Sequence, residues 1–303
     1  MFAELHIPEK ADGALWSRIV HEGRREALAI IERNFEQNPD HYPVYLSNLP
    51  YHGGLHALRA ERRTASILDT ARFANPTLLT TKDVALGRIN ALFHDTVQVW
   101  EEKDGRRKRS TGYNERESAE IAVGFLSRVN LRYHRELFTP DDKKLTRDTI
   151  NATKPGFKDG TVIQPLLTPS SHIITKGVDM SDVNGCLIDG PAVFIPEGDA
   201  LFREDNIDIL VALREKGVSN LTAEQIKEFR DRMFEYLTCQ MRFVEGREAW
   251  LESDLDGIPK PAKSAVRGLF TKGDASKTAL REAIAVRKNL QFGHLVREFG
   301  YIL

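Results

Sequence analysis

Helix-start signals recur along this chain, and they constrain its fold more than any other feature of the sequence. Capping residues followed by acidic or amide side chains occur in the segments 80–83 (TTKD), 139–142 (TPDD) and 222–225 (TAEQ). Alternating strand patterns are almost absent, and the best candidates are residues 162–163 and 172–178. The sequence therefore predicts an all-α fold.

Apolar residues at helical spacing extend these signals into a series of predicted helices. The predicted helices cover residues 54–73, 81 to about 95, 114 onwards, 140 to about 154, 200–216, 223 onwards and 275–299. Residues 101–111 form a predicted polar loop, and residues 155–175 are irregular and rich in Pro, Thr and Ser. In this series Asn114 is the predicted N-cap of its helix.

The bulk composition excludes several classes of protein. The 303 residues carry a formal net charge of −1, so nothing in the overall charge attracts nucleic acid or an anionic membrane. The two cysteines, Cys186 and Cys239, lack metal-binding spacing, which favours a reducing compartment. The N-terminus does not resemble a secretory signal, and no apolar window reaches the length of a membrane span. We therefore expect a cytoplasmic protein.

The dipeptide His94-Asp95 follows the apolar run 91–93 near the end of a predicted helix. An acidic residue is unfavourable at a helix C-terminus, and a carboxylate beside an imidazole is costly to bury. A bound cation would offset both costs. The alternative is that His94 is a buried residue bonded to a carbonyl and that Asp95 is an irregular helix end.

Two further polar pairs lie far from this dipeptide in the sequence: His52 and His56 upstream, and Asp179 and Asp182 downstream. The Gly53-Gly54 pair indicates that a helix begins between the histidines, which gives His56 a place in the first turn and His52 one in the entering loop. The alternatives are a surface histidine pair without a ligand and aspartates that cap a helix or face solvent. Taken together, two imidazoles and two carboxylates favour a divalent-metal site.

Five segments resemble motifs of the HD superfamily of metal-dependent phosphohydrolases, and two of them are also similar to segments of cyclic-nucleotide phosphodiesterases. The segments are YHGGLHA (51–57), ALFHD (91–95), NERESAE (114–120), VDMS (178–181) and LFRED (201–205). The resemblance implies an HD-domain helical bundle over residues 1–218. Residues 219–303 then form a helical C-terminal extension that packs on it.

The resemblance also implies a ligand set. His56, His94, Asp95 and Asp179 match the family's metal ligands, and Asp182 stays open as the ligand in place of Asp179. A set of mixed nitrogen and oxygen donors suits Mn, Fe, Co, Ni, Zn or Mg. The histidine that usually follows the HD pair in binuclear phosphodiesterases is replaced by residues 96–98 (TVQ), so one divalent ion is expected.

Three residues match catalytic positions of the family. His52 corresponds to the general acid that protonates the leaving group, Glu115 to a glutamate that hydrogen-bonds water at the metal, and Asp95 would help to orient that water. A divalent ion lowers the pKa of bound water from about 15.7 toward about 7, which supplies hydroxide at neutral pH. The predicted activity is hydrolysis of a phosphomonoester or phosphodiester, nucleotide-like and small.

Phosphate needs further positive partners, and Arg59 and Lys176 are the predicted ones. The basic run 106–109 either overhangs the site or forms a solvated turn. Two rival hypotheses remain: a non-catalytic module that senses metal and nucleotide, and an interaction protein that uses residues 200–300 as its surface. The C-terminal helices could also contact an adjacent subunit of a homo-oligomer.

Overall fold

The computed structural model describes residues 9–37, 49–103, 106–158 and 161–301. The prediction of an all-α fold is confirmed, because these residues form helices joined by short segments and two small β-hairpins. The first six helices are α1 (Glu9–Gln37), α2 (Gly54–Ala74), α3 (Thr81–Phe93), α4 (Tyr113–Arg132), α5 (Pro140–Ala152) and α6 (Ile173–Val183). The next are α7 (Gly185–Ile188), α8 (Pro191–Asp205), α9 (Ile207–Lys216) and, after a 3₁₀ helix (Val218–Asn220), α10 (Ala223–Asp254), α11 (Lys260–Arg267), α12 (Gly273–Lys288) and α13 (Phe292–Glu298).

Helix α3 lies at the centre of the N-terminal half. It begins with a complete capping box, in which Thr80 and Asp83 each accept a backbone N–H from the other end of the first turn. Every residue from Ile89 to Phe93 is buried, and the helix packs against α1, α2, α4, α5 and α6. A helix that is apolar on all sides is stable only inside a core, so its C-terminal end also lies inside the protein.

Helix α6 crosses α2 and α3 at close range. A Cβ atom added at Gly87 of α3 would lie 2.3 Å from a Leu68 methyl group, and one added at Gly177 of α6 would lie 2.7 Å from the other Leu68 methyl group. Both glycines therefore let the helices approach Leu68 closely. The prediction of a strand over residues 172–178 is wrong, because His172 is the N-cap of α6. A short apolar run cannot distinguish a buried helix from a buried strand by its periodicity.

The C-terminal helices share the core of the N-terminal half. The long helix α10 packs on α7, α8 and α12, and α11 packs on α2. One hydrophobic cluster joins Phe93 and Phe125 to Met233 and Leu237 of α10, so the core is continuous across the predicted boundary between residues 218 and 219. Within the described residues, no helix combines the length and apolar character that crossing a bilayer would require.

Two β-hairpins lie between the helices of the chain. Strands β1 (Trp100–Lys103) and β2 (Arg106–Arg109) replace the predicted loop at 101–111, and β3 (Gly156–Lys158) pairs with β4 (Thr161–Ile163). The prediction that Asn114 is an N-cap is also wrong. Its side-chain amide instead bonds the backbone N–H and carbonyl of Val99 at 3.0 and 3.2 Å, and Gly112 precedes helix α4.

Two other predicted helices differ from the structure, and a third predicted helix start agrees with it. The predicted helix over residues 200–216 is two helices, because α8 ends at Asp205 and is capped by Asn206, whose side chain donates to the Phe202 carbonyl at 2.8 Å. The predicted helix over residues 275–299 is likewise divided into α12 and α13. The 223 start is confirmed, with Thr222 and Gln225 forming the capping box.

Candidate metal centre

Three helix ends bring four predicted or alternative ligands together. His56 lies in the first turn of α2, His94 and Asp95 follow the last turn of α3, and Asp182 lies in the last turn of α6. One possible ligand atom from each residue lies within 4.8 Å of all the others. Both histidines and Asp95 are buried. The convergence that the sequence predicted for residues 56, 94 and 95 is therefore present in the structure.

The distances inside this cluster match the edges of a coordination polyhedron. His56 Nε2 lies 3.2 Å from His94 Nε2 and 3.3 Å from Asp182 Oδ1, and His94 Nε2 lies 3.1 Å from Asp95 Oδ2. Ligand atoms about 2.0–2.2 Å from one ion lie about 3.0–3.5 Å apart on adjacent vertices of an octahedron or tetrahedron. The donor set, two imidazoles and two carboxylates, suits a divalent cation.

Asp182, rather than Asp179, is the downstream member of this cluster. Asp179 lies one turn earlier on α6, is fully buried, and neither of its carboxylate oxygens has a hydrogen-bond partner among the described residues. Burial, together with the negative charges of Asp182 and Asp254, raises the pKa of Asp179 well above its usual value. The sequence left these two aspartates open because residues three apart occupy the same side of a helix.

The two cluster histidines differ in how their outer nitrogens are held. His94 Nδ1 lies 2.7 Å from the Ala91 carbonyl, which makes Nδ1 the donor and turns Nε2 toward the cluster. His56 Nδ1 has no hydrogen-bond partner in the described part of the chain, and the ring packs beside Tyr51 with centroids 4.5 Å apart. Burial alone would lower both pKa values, but contacts with Asp95 and Asp182 raise the pKa of each imidazole.

Asp95 connects the cluster to the β1–β2 hairpin. Its Oδ2 faces the histidines, whereas Oδ1 accepts hydrogen bonds from the Arg109 guanidinium and from Gln98 Nε2, the latter at 3.0 Å. Arg109 Nε also donates to Gln98 Oε1 at 2.8 Å. Burial would raise the pKa of Asp95, but the positive charges of Arg109 and of the histidines lower it well below its usual range. Arg109 is a site residue that the sequence placed only within a basic run.

His52 is held beside the cluster by Glu204, a residue that sequence reasoning did not include among the site residues. Glu204 of α8 is fully buried; one carboxylate oxygen contacts His52 Nδ1 at very short range, and the other accepts the backbone N–H groups of Tyr51 and His52 at 3.0 Å. Burial would raise the pKa of Glu204, but these bonds lower it. His52 Nε2 then lies 3.8 Å from Asp95 Oδ2. The only sequence signal for Glu204 was the resemblance of LFRED (201–205) to a family motif.

Glu115 lies behind Arg109 in the first turn of α4. One of its carboxylate oxygens accepts the Gly112 backbone N–H, and the other lies 3.5 Å from Arg109 Nη2. That second oxygen has no hydrogen-bond partner among the described residues, although it is buried. Glu115 therefore reaches the cluster through Arg109 and Asp95, and it retains one oxygen that could accept a bond from water.

Arg59 and Lys176, the two predicted phosphate-binding cations, form hydrogen bonds away from the cluster. Arg59 Nη1 bonds Glu197 at 3.1 Å, and Lys176 Nζ bonds the Thr168 carbonyl at 2.7 Å. Neither residue lines the cavity beside the cluster. Lys176 is buried at the N-terminal end of α6, and burial lowers its pKa. Helical spacing from a ligand did not define the direction in which each side chain extends, and their role in binding phosphate stays a prediction.

A cavity of about 630 Å³ opens onto the cluster. Its polar end includes His52, Asp95, Arg109 and Asp182, whereas the metal-facing nitrogens of the histidines lie behind it. Lys108 and Arg232 add positive charge to the wall. In the predicted basic run 106–109, the side chains of the first two residues lie outside the described part of the structure.

Comparisons with family models, with curated proteins and with solved structures find no match for this chain. The resemblance to the HD superfamily therefore rests on the sequence motifs alone. The cluster itself shows that a divalent-metal site is compatible with the geometry.

Proposed function

We propose that this chain is a metal-dependent phosphohydrolase of a small phosphomonoester or phosphodiester. The observation that carries the proposal is the convergence of His56, His94, Asp95 and Asp182 from three helix ends within 4.8 Å, at the end of an open cavity. One divalent ion is the expected cofactor, with Mn, Fe, Co, Ni, Zn and Mg as candidates. When bound, such an ion supplies a nucleophile from water at neutral pH and stabilises charge on phosphate oxygens.

The residues around the ligands have separate roles in this proposal. Arg109 and Gln98 hold one oxygen of Asp95, so the other oxygen stays directed at the cluster. Hydrogen bonds to a metal ligand fix the orientation of that ligand, and their loss reduces metal affinity by about 10–100-fold. Glu115, with one oxygen that has no described partner, would accept a hydrogen bond from the attacking water.

His52 is the proposed general acid. Glu204 accepts a hydrogen bond from His52 Nδ1, so the proton for the leaving group is the one carried on Nε2, at the cavity. Transfer of that proton to the departing ester oxygen leaves a neutral imidazole that remains bonded to Glu204. General acid catalysis is worth about 10²–10⁴-fold in rate. The Glu204–His52 pair favours an enzyme over a metal-sensing module, because a sensor has no use for a positioned proton donor.

The proposal is tested on purified full-length protein reconstituted in parallel with Mn, Fe, Co, Ni, Zn and Mg. Elemental analysis should give about one ion per chain, and the loaded protein should hydrolyse an aryl phosphate or a bis-aryl phosphodiester. His94→Ala should lose both properties. The matched control is His294→Ala, which removes an exposed histidine of α13 and should change neither.

Each of the following results would contradict the proposal that the chain is an enzyme. Substoichiometric metal with every ion would remove the cofactor, whereas full metal occupancy without turnover of any phosphate ester would favour the sensor module. Unchanged thermal stability on chelation, with no metal bound, would instead favour an interaction protein.

A further inference from the structure

The cavity beside the cluster is much larger than a phosphate group requires. Its volume of about 630 Å³ falls within the range of about 300–1,000 Å³ that is typical of sites for whole small molecules. Apolar side chains form a large part of its wall. They include Phe157, Pro155, Val162, Leu201, Ile207 and Phe243. A substrate that fills this space would have an apolar portion in addition to its phosphate.

Phe157 is the most unusual of these residues. It lies in β3, opposite Val162 of β4, and its side chain is 80% exposed although it lines the cavity. An aromatic ring exposed at a cavity rim offers apolar surface that a ligand can cover.

Contacts with α10 hold the β3–β4 hairpin in place. The buried Arg247 donates to the Val162 carbonyl at 3.1 Å and to Asn184 at 2.9 Å. Lys158, the residue after Phe157, lies over the Trp250 ring at 4.9 Å. Val162 and Lys158 are therefore both anchored to α10, which limits how far the Phe157 backbone can move.

Phe243 of α10 also lines this cavity. Its ring stacks on Phe194 of α8, with centroids 6.1 Å apart and planes inclined by only 12°. A ring held in this way presents a fixed surface to a ligand, and planar groups pack well against such surfaces in offset or edge-to-face geometry.

Both arginines that line the cavity are paired within the chain. Arg109 is bonded to Asp95, and Arg232 is bonded to Asp208 at 2.6 Å and to Asn206 at 3.0 Å. Lys108 also lines the cavity and adds positive charge. The apolar residues of the wall offer a substrate contacts that do not depend on charge.

Resting on the proposed function, we propose that Phe157, Val162 and Phe243 are specificity-determining residues that bind a planar apolar group of the phosphate-bearing substrate. The enzyme therefore prefers aromatic phosphate compounds over small polar ones. The C-terminal helix α10 is part of the substrate site, since it supplies Phe243 and anchors the hairpin.

Two phosphonates test this inference without requiring turnover, because their P–C bond is not hydrolysed. Calorimetric titration of the metal-loaded full chain should show that phenylphosphonate binds at least about 10-fold more tightly than methylphosphonate. Phe157→Ala and Phe243→Ala should each reduce this preference by about 3–10-fold and leave methylphosphonate binding unchanged. Because Phe157 is exposed, its variant should fold normally.

The matched control is Phe73→Ala on α2, which removes an aromatic side chain that is 91% exposed and that lines a different groove. It should keep the full preference. Equal affinity for the two phosphonates, a preference that survives both cavity variants, or no binding of phenylphosphonate would each overturn the inference. Methylphosphonate binding and hydrolysis of small phosphate esters would in those cases still support the proposed function, whereas loss of metal binding would contradict that function itself.

Discussion

The candidate metal centre and the contact between α8 and α12 both bury ionised groups, but they balance the charges in different ways. Arg287 of α12 donates two hydrogen bonds to Asp199 of α8, at 2.7 and 2.6 Å, so each charge has its partner within the chain. In the metal centre, the ion-pair contacts of Asp182 among the described residues are with two imidazoles, whose charge depends on bound protons. The first region is complete without a ligand, whereas the second has its full charge balance only with protons or a cation.

This difference indicates which buried charges in a structure mark a ligand site. A buried Arg–Asp pair stabilises one packing arrangement and needs nothing further from solvent. A buried group of imidazoles and carboxylates, with ligand atoms 3.1–3.4 Å apart, is costly unless a positive charge enters it. The same contrast predicts that variants in the two regions affect different observables.

The largest expected effect on metal binding is the loss of metal from Asp182→Asn. An amide cannot replace the charge of a ligating carboxylate. Metal affinity should therefore fall by more than the roughly 10–100-fold that follows from losing a hydrogen bond to a ligand. At 100 times the Kd, metal stabilises the unchanged protein by about 2.7 kcal/mol, and the variant should lose the corresponding rise in Tm. The measurement is thermal unfolding with and without the metal.

Asp179→Asn is the matched control for that variant, because it makes the same chemical change one turn earlier on α6. It should keep the metal-dependent rise in Tm. If Asp179→Asn instead loses metal while Asp182→Asn retains it, the ligand set would be the one that the motif resemblance first implied, and the cluster geometry would not describe the loaded protein.

The largest expected effect on the free energy of unfolding belongs to the contact between α8 and α12, here called the closed region because its charges are balanced within the chain. Arg287→Ala leaves the buried Asp199 carboxylate without its partner and should cost about 3–5 kcal/mol in the free energy of unfolding. Metal content per folded molecule should stay unchanged, because the pair does not contact the ligands. Denaturant unfolding and elemental analysis measure the two quantities on the same sample.

An exposed ion pair provides the control for Arg287. Arg147 bonds Glu120 on the surface between α4 and α5, and Arg147→Ala should cost less than about 1 kcal/mol because water screens the pair. Equal costs for the two variants would mean that burial does not distinguish the closed region, and metal loss in Arg287→Ala would mean that the two regions are not independent.

A smaller effect, confined to the reaction rate, is expected from Glu204→Gln. The amide still accepts a hydrogen bond from His52 but no longer stabilises the imidazolium, so kcat should fall by about 10–100-fold, less than the 10²–10⁴-fold expected for His52→Ala. Metal occupancy should not change. The double variant should be no slower than His52→Ala alone, because both residues act through one proton; additive losses would contradict the pairing.

The sequence predicted those parts of the fold and site that depend on local signals. The capping boxes at Thr80 and Thr222 located α3 and α10, and the polar dipeptide after the apolar end of α3 located His94 and Asp95 in the site. These inferences succeeded because a cap and an apolar face act within one or two turns of the chain.

Other parts required the tertiary structure. The choice between Asp179 and Asp182 depends on the rotation of α6 against α2 and α3, and the Glu204–His52 bond joins residues 152 positions apart. The positions of Arg59 and Lys176 were set by Glu197 and by the Thr168 carbonyl, partners that spacing along a helix does not reveal.

The smallest effect is expected from Asp179→Asn on the metal-free protein, and it has a defined dependence on pH. Because the pKa of Asp179 is raised on folding, the folded state binds more protons than the unfolded state above the ordinary value of about 3.9. The contribution of this residue to stability therefore falls as pH rises from about 4 toward the raised pKa. Asparagine does not titrate, so the variant lacks this dependence of stability on pH.

As pH rises, the free energy of unfolding of the variant should consequently increase relative to that of the unchanged protein. The difference should reach no more than about 1–2 kcal/mol at pH 7, because the amide leaves its own polar atoms unpartnered. Denaturant unfolding between pH 4 and pH 7 measures the difference. A variant that is less stable than the unchanged protein at pH 7 would mean that the ionised Asp179 carboxylate has a favourable partner. The buried charge of α6 would then be balanced within the chain, as it is between Arg287 and Asp199.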